Sequence, residues 1–84
     1  MKRDLKGWGP FASHLLPEER SARIRCLRGL VMAYRGTDGK RVNALLRAAE
    51  DDPALLESAR LSLAALSEAQ LRPIWNAYVS MEIE

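Results

Sequence analysis

Apolar residues recur at three- and four-residue steps along most of this chain, the spacing that gives a helix one buried face. Ile24, Leu27, Leu30, Val31 and Tyr34 form the first such stripe, and the helix built around it is predicted from Pro17 to about Arg35. Proline suits the first helical position, Glu18 and Glu19 complement the positive end of the macrodipole, and Gly36 is the residue type expected just past a helix end. Thr37-Asp38-Gly39 reads as a turn that also supplies a cap. A second helix is predicted over about 39–50, with Val42, Leu45, Leu46 and Ala49 inward. Asp52-Pro53 has the form of an N-cap followed by a first-turn proline and opens a third helix, 53–66, burying Leu56, Ala59, Leu63 and Leu66 with Leu55 alongside. Ser67-Glu68-Ala69-Gln70 matches a capping box and starts a fourth helix, 67–82, whose inward stripe is Leu71, Ile74, Trp75, Tyr78 and Val79. Pro73 lies too deep in that helix to be free of cost, which predicts a kink or break near Arg72.

Residues 1–16 carry no such period and read as an irregular N-terminal arm. Pro10 can open a short helical turn carrying Phe11 and Leu15, and these groups, with Leu5 and Leu16, are expected to fold back onto the helices. At the other end Met81-Glu82-Ile83-Glu84 is expected to fray, with Ile83 exposed. The pattern therefore predicts an all-α chain: one domain over 1–84, a compact four- to five-helix bundle with an irregular arm. Leu and Ala dominate the apolar set while β-branched and aromatic residues are scarce, which favours helix over strand. An apolar fraction of 48% against 29% charged places the chain with globular rather than disordered sequences.

Candidate chemistry is sparse. A lone cysteine, Cys26, excludes an internal disulfide and fits a reducing compartment. No apolar run follows the charged Met1-Lys2-Arg3-Asp4, and uncharged stretches are too short to span a bilayer, so no leader and no membrane are expected and the location is read as cytoplasmic. Cys26 and His14 cannot supply a four-ligand zinc site, and Glu50-Asp51-Asp52 lacks the spacing of a calcium loop. Cys26 falls toward the apolar side of its helix; Arg23 and Arg25 could lower its pKa, but no base stands beside it. Gly36 and Gly39 serve a turn, without a phosphate-loop lysine. The expectation is a protein without catalytic residues, metal or cofactor.

Charge changes the picture. Residues 1–47 hold eleven Lys or Arg against four acids, and residues 48–84 hold two against seven, so the halves carry +7 and −5. On the first helix Arg25, Arg28, Met32 and Arg35 fall in one sector beside the apolar stripe, and Lys40 and Arg41 can extend it past the turn. The bland reading is a solvated face paired with Glu50, Asp51 and Glu57 of the acidic half. Guanidinium forks also suit carboxylates and phosphates, and a methionine beside them suits a protein contact. An acidic protein partner is preferred to nucleic acid: a pI near 9 favours the latter, but the acidic second half and the few stacking aromatics oppose it. Trp8, within Gly7-Trp8-Gly9-Pro10-Phe11, either covers one end of the core or anchors a partner, whereas Trp75 belongs to the core. The expected function is a non-enzymatic binding protein that docks on a larger protein or complex. By analogy of size and class it is a small regulatory, adaptor or inhibitor protein of the kind carried by phages and mobile elements. The alternative is a nucleic-acid binder using the arginine stripe, and a homodimer is a third possibility. Ten arginines against three lysines, with abundant Ala and Leu, resemble the product of a high-GC bacterial gene.

Overall fold

Pro17 takes the first position of α1 (Pro17–Arg35), and Glu19 turns back so that its Oε1 accepts from the Leu16 N–H at 3.0 Å. The computed structural model describes residues 5–81. At its far end α1 stops at Gly36, whose φ of 55° and ψ of −131° are open to glycine, while the Gly36 N–H donates to the Met32 carbonyl. A 3-10 turn, Gly36–Gly39, leads into α2 (Lys40–Asp51). Contrary to expectation, no side chain of that turn caps α2. Close packing shapes the corner instead: Gly39 is buried, and a Cβ there would lie 2.7 Å from Val31 Cγ1 and 2.8 Å from Arg35 Cβ.

The Asp52 carboxylate accepts from the Ala54 N–H at 3.0 Å, as an N-cap should. The element it caps is a 3-10 turn, Pro53–Leu55, and α3 proper is shorter than predicted, Leu56–Ala64. Ala65 and Leu66 form the closing turn, donating to the carbonyls of Leu61 and Leu63. The capping box of α4 (Glu68–Ser80) is complete: Gln70 N–H donates to Ser67 Oγ at 3.1 Å, and Ser67 N–H to Gln70 Oε1 at 3.0 Å. Pro73 does not break this helix. Its missing N–H costs the bond to Ala69, an exposed residue whose carbonyl water can serve, and burial of Leu71, Ile74 and Tyr78 holds the turns on either side. The predicted end of this helix at residue 82, and Ile83, lie outside the described residues.

The chain is all-α, with no strand among the described residues and no helix there long and apolar enough to cross a membrane. α1 is central, packing on α2 along one flank and α4 along another, while α2 also packs on α3. Ile24, Leu27, Val31, Leu46, Leu63, Leu71 and Ile74 are the most deeply buried side chains of the core these faces share. Three expected core residues are exposed: Leu16, Tyr34 and Val79. Leu16 precedes the helix in extended backbone. Tyr34 belongs to the last turn of α1, which α4 leaves uncovered because its end, at Met81, reaches only Cys26 (Sγ–Sδ 3.5 Å). Val79 lies about 100° round α4 from the buried Tyr78.

The described part of the arm, 5–16, is more regular than its sequence suggested. Gly9–Phe11 forms a 3-10 turn that packs on α1 and α3 and carries the buried Pro10 and Phe11. Three of its carbonyls are held by arginines of α1. Arg20 donates to Pro10 O (Nε, 3.0 Å) and to Ala12 O (Nη2), and Arg23 donates to Gly9 O (Nη1, 3.3 Å). Trp8 stacks on Trp75 with ring centroids 4.5 Å apart and planes 13° from parallel, and also meets Tyr78 at 4.6 Å. Glycine suits position 9, where φ is 54° and a Cβ would sit a tight 3.2 Å from the Tyr78 ring. Leu5 seats its buried side chain with φ at 63°, a left-handed conformation that costs about 1–2 kcal/mol.

Two tests follow from this packing. Gly39→Ala should destabilise the fold by about 1–3 kcal/mol in urea titrations, because Val31 must move. By contrast Gly29→Ala, with open space about it on α1, should stabilise by about 0.5–1 kcal/mol. Equal effects at the two positions would contradict the corner described. Separately, Arg20→Ala should speed amide exchange at Trp8 and Phe11 by about tenfold or more while sparing α2, since two charge-assisted bonds to the arm are lost.

Candidate interaction surface

α1 and α2 form an antiparallel hairpin, and the valley between them on the solvent side collects most of the polar side chains that the sequence singled out. At the end away from the turn Arg25 and Arg28 converge on one carboxylate of α2: Arg25 Nε lies 3.2 Å from Glu50 Oε1, and Arg28 Nη1 lies 3.1 Å from Glu50 Oε2. Their environments differ. The Arg25 side chain is 69% exposed against 28% for Arg28, and Glu50 is only 14% exposed. Arg28, Arg47, Glu50 and Asp51 line a polar groove of about 340 Å³ there. At the turn end, Met32, Gly36, Thr37, Lys40 and Asn43 line a second, largely apolar groove of about 420 Å³. Met32 is 61% exposed, and the Asn43 Oδ1 atom is buried without a hydrogen-bond partner.

This geometry divides the predicted stripe. Arg25, Arg28, Met32 and Lys40 share the valley. Arg35 leaves it: its side chain is mostly buried and pairs with Asp38 of the turn at 3.5 Å. Arg41 is exposed about 100° round α2 from Lys40 and lines neither groove. Trp8 is engaged with Trp75 and Tyr78, so as placed it covers the end of the core. Of the carboxylates expected to compensate the stripe only Glu50 does so, because Glu57 pairs with Arg60 of its own helix at 2.5 Å. That bond from Arg60 holds the Glu57 carboxyl below its usual value. Arg47 and Asn43 escaped the sequence reading. Their signal was the i, i+3, i+7 spacing from Lys40, which puts all three on the flank of α2 beside its buried face.

No family model, curated protein or solved structure matches this chain. Its surface chemistry must be read from its own residues.

Burial pushes the Cys26 thiol up, and its sulfur neighbour is Met81. Tyr78 is likewise pushed up by burial, opposed in part by Arg23. Among the described residues no three His, Cys, Asp or Glu cluster in a way that could hold a metal ion. A further groove of about 470 Å³ runs between the arm at Lys6, Phe11 and Ser13 and the Pro53–Arg60 segment.

The unequal exposure of the two arginines makes a measurable difference. In double-mutant cycles with Glu50→Gln, the Arg28 coupling should be about 0.5–1 kcal/mol and the Arg25 coupling about 0.5 kcal/mol or less, read from urea denaturation at low salt. A larger coupling at Arg25 would contradict this arrangement.

Proposed function

We propose that this chain is a non-enzymatic binding protein, a compact four- to five-helix bundle that docks on a larger protein through the α1–α2 valley. The observation that carries the reading is the convergence of Arg25 and Arg28 on Glu50, beside an open apolar groove under Met32. In the polar groove Glu50 and Asp51 stand opposite Arg28 and Arg47, so that part of the valley is a modest attractor for a phosphate backbone. What remains beside it is exposed thioether and apolar surface with a few unpaired cations, a combination that suits a protein contact. A regulatory, adaptor or inhibitory role in the cytoplasm is the form we propose for a small chain that acts through this surface.

Nucleic-acid binding is the second reading, supported by Lys40, Arg41 and Arg47, exposed cations of α2. The two separate in a salt series. With those three groups neutralising phosphates, fluorescence anisotropy of labelled duplex DNA, single-stranded DNA and RNA should show weak binding, with a log–log salt slope no steeper than about −3. Tight binding with a slope steeper than about −5, abolished by Lys40→Glu with Arg47→Glu, would make nucleic acid the partner and overturn the protein reading.

A further inference from the structure

Resting on the protein-docking reading above, we propose that the occupant of the α1–α2 valley is an amphipathic helix of a partner protein, carrying one large apolar anchor and a carboxylate about two turns beyond it. The valley has a sequence of chemistries along its length. Its turn end is the apolar groove walled by Met32 and edged by Lys40. Arg47 stands seven residues further along α2, about 10 Å away along the helix axis. Glu50 and Asp51 close the far end. Lys40 and Arg47 make no ion pair within the described residues, whereas Arg25 and Arg28 are bound to Glu50. Charge complementarity therefore wants carboxylates opposite Lys40 and Arg47 and none opposite Glu50 and Asp51.

An anchor of the Leu, Met or Phe class fits the turn-end groove, where Met32 can adapt its thioether to the incoming shape. A carboxylate one turn after the anchor reaches Lys40, and a second, two turns after it, reaches Arg47. Past that point the occupant must be neutral or basic. Two parallel walls of helix, with grooves spaced along them, receive a third helix by its i, i+3, i+4 and i+7 side chains.

The test is a titration of the isotope-labelled full chain, followed by amide and side-chain NMR shifts, with three probes. One is a synthetic helical peptide with Leu at i, Glu at i+4 and i+7, and Lys at i+11. The second has the same composition scrambled, and the third is a short DNA duplex. The expected result is shifts confined to Met32, Lys40, Asn43 and Arg47. The ordered peptide should bind about tenfold or more tightly than the scrambled one, and Lys40→Glu with Arg47→Glu should weaken it by a similar factor. Met32→Ala should weaken it too while leaving the thermal transition of this exposed position in place. Equal binding of ordered and scrambled peptides, no binding by either, or shifts at the arm groove of Lys6 and Phe11 would overturn the proposal and leave the docking reading standing. Saturable DNA shifts in the valley, with none from the peptides, would overturn both.

Discussion

Two arginine side chains reach back from α1 and hold a strip of backbone that has no helix or sheet ladder of its own. The carbonyls of Pro10 and Ala12 would otherwise face the cost of partial burial without donors, and Arg20 supplies them, while Arg23 adds a second donor to the Gly9 carbonyl, which also accepts from the Ala12 N–H. Because the strip is held, Phe11 and Leu5 enter the core and Trp8 reaches α4. A chain of this length buries only about 60–65% of its unfolded surface, so a dozen residues laid over the gap beside α1, α3 and α4 are a large share of what makes the core continuous. The strained backbone of Leu5 is tolerated on the same account: its buried side chain offsets the left-handed conformation.

This use of arginine also decides what the molecule presents to others. Of the eleven Lys and Arg between residues 1 and 47, five are committed internally. Arg20 and Arg23 serve the arm, Arg25 and Arg28 share Glu50, and Arg35 meets Asp38 across the corner that Gly39 tightens. A charge imbalance that looks like an electrostatic field in one dimension is, once folded, put in part to hydrogen bonding. Among the described residues, Lys40, Arg41 and Arg47 of α2 are exposed cations, and Lys40 edges an apolar groove. That shift of emphasis from one helix to the valley beside it is the ground on which we propose protein contact over phosphate.

Much of the fold was legible because its signals are local. Asp52 and Ser67 cap as their side chains require, Gly36 ends α1, and the stripes through Ile24, Leu27 and Val31 and through Leu71, Ile74 and Tyr78 are buried. Misreadings arose where a neighbour decided the outcome. Tyr34 continues the helical period faithfully, yet α4 stops short of it. Pro73 breaks a local rule that tertiary burial on both sides overrides. In the valley, spacing on α1 alone could find Arg25, Arg28 and Met32, but only the pairing of two helices reveals that Arg47 and Asn43 complete it and that Arg35 departs. No rule of sequence spacing marks a guanidinium as the donor to a carbonyl ten residues earlier, which is the role of Arg20.

Both tryptophans of the chain lie in one stack, one on the arm and one on α4. Every indole chromophore in the protein is therefore an indicator of whether the arm is seated. Near-parallel rings at 4.5 Å couple their excited states, so the near-ultraviolet circular dichroism and the intrinsic emission carry one structural message in place of an average over scattered sites. The protein has in effect a built-in optical gauge at the junction of its least regular segment and its last helix, readable without any label.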